Sequence, residues 1–149
     1  MIEVGTRAPD FSLPDHQGHD VSLGDFADRK LMIAFYPLDF SPVCTDQLSL
    51  YQEVLSEIES QGASLVGISV DSSWCHNAFR KHLNLTMPLL ADFNPKGEVS
   101  KAYGSYIEQA GISNRNLVLI EDGEVRWTHE SPNPGEIPGA NLIFDALSA

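Results

Sequence analysis

Positive charge is scarce in this chain: 9 Lys and Arg stand against 21 Asp and Glu, a formal net charge of -12 over 149 residues. Such a surface repels a phosphate backbone or an anionic bilayer, which argues against nucleic acid and membrane as partners. Long apolar runs are missing as well. Nothing approaches the roughly 18 residues that span a bilayer, and the opening MIEVGTRAPDF has neither a basic nor an apolar leader segment. The expected location is therefore the cytoplasm. Cysteine is reduced to Cys44 and Cys75, which in a reducing compartment suits redox chemistry or free thiols better than a permanent staple. Cys75-His76, His82 and His129 lack a second Cys pair and a His-x-x-x-His spacing, so no metal is expected. With no Gly-rich phosphate loop and no Ser-His-Asp signature, no other cofactor is expected either. His16 and His19 sit in a polar turn and read as solvent-exposed.

What is present suffices for one domain spanning residues 1–149, since 42% of the residues are hydrophobic. Asp10–Leu13 and Asp20–Leu23 flank the turn His16-Gln17-Gly18, predicting an N-terminal hairpin. Leu31–Tyr36 is a continuous apolar run ended by Pro37, the pattern of a strand buried on both faces. Leu48, Tyr51, Leu55 and Ile58 recur at spacings of three and four and predict an amphipathic helix ending at Gly62. Ser64–Val70 reads as a second buried strand. A helix over Ser73–His82, with Phe79 and Leu83 inward, then leads to a short strand at Met87–Ala91 and a short helix at Glu98–Tyr103. Asn116–Ile120 and Glu124–Trp127 form a hairpin about Asp122-Gly123, and Gly139–Leu147 closes the chain as a helix. This order predicts an α/β fold with a central mixed sheet flanked by helices.

The chemistry concentrates in Tyr36-Pro37-Leu38-Asp39-Phe40-Ser41-Pro42-Val43-Cys44-Thr45-Asp46-Gln47. Ser41 followed by Pro42 is a good helix-start pair, with Ser accepting from an unpaired amide and Pro lacking the redundant N–H. Cys44 then falls in the first helical turn beyond a buried strand. There, free amides and the positive end of the helix dipole favour a thiolate. The alternative is a buried, inert cysteine. Asp39 and Asp46 would disfavour the thiolate if they faced it, and both are expected to point to solvent. Tyr36 is expected to form an apolar wall.

The segment resembles the peroxiredoxin signature Pro-x-x-x-Thr/Ser-x-x-Cys at Pro37, Ser41 and Cys44. The likeness extends from Ala8-Pro9-Asp10-Phe11 to the C-terminal helix. Glu108-Gln109-Ala110-Gly111-Ile112-Ser113-Asn114-Arg115 resembles the matching stretch of the AhpE-type group. The resemblance implies a thioredoxin-like fold, which the element order also suits, and a thiol-dependent peroxidase acting on hydrogen peroxide and organic hydroperoxides. It implies Cys44 as the attacking thiolate, Pro37 as its shield from water, Ser41 as a hydroxyl holding the peroxide, and Arg115 as the stabilising charge. The alternative for Arg115 is an ion pair with Glu108. Gln47 stands where many relatives have Glu, leaving an acceptor for the arginine.

Peroxide attack leaves a sulfenic acid that a second thiol must reset. Cys75 opens a helix just past the second buried strand, and parallel neighbouring strands would bring both cysteines to one edge of the sheet. Some peroxiredoxins carry a resolving cysteine in this helix, although AhpE-type relatives do not. Cys75 is therefore the candidate resolving thiol, with a helix-packing cysteine as the alternative. Two helix starts are not expected to leave Cα atoms within the roughly 4.4–6.8 Å of a disulfide, so a first turn must unwind; Ser72 and Ser73 are expected to be exposed and to allow it. The resemblance further implies a thioredoxin-, glutaredoxin- or mycoredoxin-like reductant and a homodimer, with Phe40, Trp74 and Phe93 as candidate contacts. Three readings compete: a one-cysteine peroxidase reduced by an external thiol, a thioredoxin-like disulfide reductase, and a non-catalytic interaction module. The reductase would need Cys-x-x-Cys, and Gln47 occupies the second position.

Overall fold

Strand β3 (Lys30–Phe35) shows no polar alternation because it feeds two cores at once. Met32 and Ala34 join one cluster, with Tyr36 just beyond the strand, while Leu31, Ile33 and Phe35 join the other. A computed structural model describes all residues, Met1–Ala149. In it β3 lies at the centre of a five-stranded sheet. It pairs in parallel with β4 (Ala63–Ser69), which pairs in parallel with β5 (Leu89–Ala91). On its other side it pairs antiparallel with β8 (Leu117–Glu121), followed by β9 (Glu124–His129), giving the order β5-β4-β3-β8-β9. The N-terminal hairpin is formed by β1 (Ser12–Pro14) and β2 (Asp20–Ser22), followed by a 3-10 turn at Leu23–Phe26.

One face of the sheet is covered by helices α1 (Pro42–Glu53), α2 (Leu55–Ser60), α3 (Ser73–Leu83) and α5 (Ala140–Ser148), through Leu48, Tyr51, Ile58, Phe79 and Ile143. The other is covered by the N-terminal segment and by α4 (Glu98–Ala102), through Phe11, Leu13, Val99 and, just past α4, Tyr103. The expected single helix to Gly62 is in fact two. The chain leaves helical geometry at Val54 (φ -106°, ψ 5°), a β-branched residue that the helix holds weakly, yet Leu55 and Ile58 stay in the core. One element had no signal in the sequence: β6 (Tyr106–Ile107) and β7 (Ile112–Ser113), a hairpin of two-residue strands too short to show a period. It delivers the chain to Arg115.

Two features fix the sheet edge where β3 and β4 end. Phe35 pairs with Ile68, so α1 and α3 both start from the same edge, carrying Cys44 and Cys75. Gly67 lets the Tyr36 ring and Leu89 approach β4 closely: a Cβ there would meet Leu89 Cδ2 at 2.8 Å and Tyr36 Cε1 at 3.0 Å.

Candidate active site

The turn between β3 and α1 carries backbone strain. Phe40 has φ 67°, a left-handed conformation costing a non-glycine residue roughly 1–2 kcal/mol. Its ring offsets that by packing on α3, 5.0 Å from the Phe79 centroid and 5.7 Å from that of His82. Beyond it Ser41 is the helix N-cap and Pro42 the first helical residue. The N-cap works through the backbone, with Thr45 N–H donating to Ser41 O at 2.9 Å. Here the expectation needs correction: the Ser41 side chain accepts from no helix amide, and its hydroxyl donates instead to Leu38 O at 2.9 Å. With its proton committed to that carbonyl, Ser41 Oγ is left as an acceptor.

Cys44 is the third helical residue, fully buried, in the stretch where helix amides have no intrahelical acceptor. Its sulfur meets Arg115, whose Nη1 donates to Cys44 Sγ at 2.9 Å and to Gln47 Oε1 at 2.8 Å. Arg115 Nε donates to Pro134 O. This guanidinium is 3% exposed and pairs with no carboxylate; Glu108, the alternative partner, is on the surface. Gln47 is the acceptor anticipated at that position, and its Nε2 donates onward to Tyr51 Oη at 3.3 Å. Tyr51 Oη donates to Pro138 O at 2.7 Å, and burial pushes its hydroxyl up to about 12. Pro37 is buried beside this turn.

Arg115 is held by its neighbours. Asn114 Nδ2 donates to Ser131 O at 2.9 Å, while Asn116 Nδ2 donates to Ser105 Oγ at 3.0 Å and Asn116 Oδ1 accepts from Ser131 N–H at 3.2 Å. The loop from Ser131 to Gly139 thus straps down both the arginine and Tyr51. Nothing local in Ser131-Pro132-Asn133-Pro134 announces this, because its contacts to the site are main-chain groups.

Asp46 is exposed as expected, but Asp39 is not. Asp39 is buried, accepting from Tyr36 Oη at 2.6 Å and lying 2.7 Å from His76 Nδ1. The Tyr36 hydroxyl makes that residue a polar anchor as well as an apolar wall, and its pKa lies well above the usual phenol range through burial. His76 is fully buried on α3, a role that sequence reading missed. Its partner is 37 residues away, beyond any spacing rule. His16 is half-buried rather than exposed; His19 is exposed.

Cys75 lies at the start of α3, half-buried, with the Ser72 side chain capping its amide at 3.2 Å. Ser72 and Ser73 are half-buried rather than exposed. Both cysteines are free thiols at the same sheet edge. Cys75 Sγ donates to Asp71 Oδ1 at 3.7 Å, and burial, followed by the charges of Asp39 and Asp71, pushes its thiol up to about 12.

The AhpC/TSA family model matches residues 4–128. Alkyl hydroperoxide reductase E of Mycobacterium tuberculosis is 36% identical over 150 residues, covering 100% of this chain and 98% of that protein. The reduced 2-Cys peroxiredoxin of Plasmodium vivax superposes with a TM-score of 0.90 at 26% identity, over 100% of this chain and 82% of the other. Enterococcus faecalis AhpC, at 23% identity, shares the fold with a TM-score of 0.91 over 99% and 92% of the two chains. These matches support the resemblance seen in the motifs and the thioredoxin-like fold read from the element order. The chain belongs to the AhpC/TSA family and is a peroxiredoxin of the AhpE type, a thiol-dependent peroxidase.

Proposed function

We propose that Cys44 is the thiolate that attacks the peroxide, with Arg115 as the charge that stabilises it. The observation that carries this is the 2.9 Å contact between Arg115 Nη1 and Cys44 Sγ, with both residues buried. The sulfur attacks one peroxide oxygen in line, a sulfur–oxygen bond forms and the oxygen–oxygen bond breaks. The departing oxygen takes the electron pair and then a proton, leaving as water or an alcohol. Charge moves from sulfur to that oxygen, and a guanidinium already aimed at the sulfur follows it with little reorganisation. Ser41 Oγ accepts a hydrogen bond from the peroxide, and Pro37 keeps bulk water from the sulfur. Because Cys44 is fully buried, hydrogen peroxide or an organic hydroperoxide enters when the Leu38–Ser41 turn or the Ser131–Gly139 strap moves aside. Ser41→Ala is expected to slow oxidation of Cys44 about tenfold, as for the loss of one hydrogen bond near a charge. Stopped-flow fluorescence with varied peroxide measures it, and an unchanged rate constant would remove Ser41 from the reaction.

Cys75 then resets the enzyme. Its thiol attacks the Cys44 sulfenic sulfur, the sulfur–sulfur bond forms as the sulfur–oxygen bond breaks, and the thiol proton leaves with hydroxide as water. A thioredoxin-, glutaredoxin- or mycoredoxin-like dithiol returns both cysteines to thiols. The shared sheet edge supports this; the raised pKa of docked Cys75 favours the one-cysteine alternative, in which an external thiol attacks Cys44 directly. Mass spectrometry after one equivalent of peroxide in thiol-free buffer separates them. Loss of two hydrogens with a 44–75 linkage is expected, and a lasting gain of one oxygen at Cys44 would remove Cys75 from the cycle. Leu38, Phe40, Trp74 and Phe93 are large exposed apolar side chains on the segments that follow β3, β4 and β5, a patch suited to a second copy in a homodimer. The location we assign is the cytoplasm; no helix is long and apolar enough to cross a membrane.

A further inference from the structure

The peroxidase reaction uses neither Asp39, His76 nor Asp71, yet these side chains form a continuous network between the two cysteine segments, buried at Asp39 and His76 and half-buried at Asp71. His76 Nε2 faces Leu90 O at 3.1 Å, and a carbonyl only accepts, so that nitrogen carries a proton. His76 Nδ1 lies 2.7 Å from Asp39 Oδ2, both side chains fully buried, and the contact needs a second proton between them. Asp39 Oδ1 accepts from Tyr36 Oη, and the Asp39 N–H donates to Asp71 Oδ2 at 2.9 Å. Asp71 Oδ2 also accepts from Ser69 Oγ at 2.5 Å, while Asp71 Oδ1 accepts from Cys75 Sγ. Polar atoms of Asp39, Asp71 and Cys75 all lie within 4.8 Å of one another.

The covalent geometry makes this consequential. Asp39 is five residues ahead of Cys44 on the strained turn, whereas His76 immediately follows Cys75 on α3. Cys44 Sγ is engaged by Arg115 and Cys75 Sγ by Asp71, so a disulfide between the two helix starts requires at least one first turn to leave its place, and movement of the Cys44 turn carries Asp39 with it. We propose that Asp39 and His76 form a latch joining the Cys44 turn to the start of α3, so that Cys75 stays docked between two carboxylates until that turn opens. Asp39 and Asp71 are the charged groups facing Cys75, and Tyr36 and His76 contact the Asp39 carboxylate. Opening removes Asp39 from beside the thiol and frees α3's first turn in one event. The direction of the Cys75 shift, upward through burial and these two charges, agrees with a thiol that is unreactive while docked. Asp39 and His76 are positioning residues here, acting through Cys75. The functional meaning of the latch rests on the reading of Cys75 as the resolving thiol.

Hydrogen exchange on the reduced full-length protein tests it without any substitution. Amides of residues 38–46 and 72–79 are expected to open with a common free energy, and unequal values would overturn the latch. In Asp39→Asn and in His76→Gln, made separately, exchange should rise in both segments together, on the order of tenfold, as expected when one buried charged hydrogen bond is lost. A response confined to the substituted segment would overturn it too. In a Cys44→Ser background Cys75 is the sole thiol, and its alkylation by iodoacetamide is followed from pH 6 to 11. Asp39→Asn should shift that profile to lower pH with about tenfold faster labelling at neutrality; an unmoved profile counts against the latch. The 44–75 linkage is read separately after peroxide. Its absence would withdraw the resolving role while leaving the exchange and alkylation results to judge the latch alone.

Discussion

Arg115→Met is expected to fold and to keep Cys44 reduced, yet to react with hydrogen peroxide on the order of 10²–10³-fold more slowly, the cost of removing one preorganised donor from a charge-developing site. The loss falls on the second-order rate constant, because the guanidinium meets the sulfur before and during attack. Methionine fills much of the volume of the arginine stem but leaves Gln47 Oε1 and Pro134 O without their donor. Leaving the buried Gln47 oxygen unsatisfied costs about 1–3 kcal/mol, and the half-buried Pro134 carbonyl less, so the melting temperature should fall as well. Arg115→Lys is the informative control. A lysine ammonium restores charge but not the planar fork that reaches sulfur, amide oxygen and backbone carbonyl together, so it should recover only part of the rate. Stopped-flow traces under pseudo-first-order peroxide give all three constants, and a loss below tenfold in the Met variant would assign Arg115 to packing alone.

Cys44→Ser is expected to reduce peroxide consumption to the rate of the buffer. A serine hydroxyl stays protonated at neutral pH and forms no sulfenic product, so neither attack nor reset has a starting point. The substitution is nearly isosteric, and Arg115 can donate to the new oxygen, so circular dichroism and the melting curve should change little. Cys75 remains in this variant. Its thiol, pushed up to about 12, is not expected to take over, and the reciprocal Cys75→Ser variant should still form the Cys44 sulfenic acid. Substantial turnover surviving in Cys44→Ser would transfer the attacking role to Cys75.

The legible parts of this molecule are those governed by local rules. Apolar run length found β3 and β4, helical spacing found the core face of α1 and α2, and Asp122-Gly123 located the β8–β9 turn. The Pro37, Ser41 and Cys44 spacing marked the first half of the site because those residues share one turn. Arg115 was reached only through resemblance, since the two-residue strands that deliver it have no period. Asp39 was read as a solvent-facing carboxylate, and that failed for a physical reason. A buried Asp needs partners, and these are Tyr36 at close range and His76 at 37 residues' remove. The break at Val54 escaped notice because burial of Leu55 and Ile58 preserves the hydrophobic spacing across it. The strap at Ser131–Gly139 acts through main-chain groups, chiefly carbonyls, which every residue has.

The dependence of Arg115 on that strap also bears on the protein's synthesis. Cys44 leaves the ribosome 71 residues before its cation, and Pro134, which accepts from Arg115 Nε, follows 19 residues later still. Tyr51 finds its acceptor 87 residues downstream. While those 71 residues are added the nascent chain therefore carries the cysteine without the charge that stabilises it, and reactivity toward oxidants is assembled late. After peroxide treatment, a ribosome-stalled chain ending before residue 115 should be labelled slowly by a sulfenic-acid-trapping probe even where β3 and α1 have already formed.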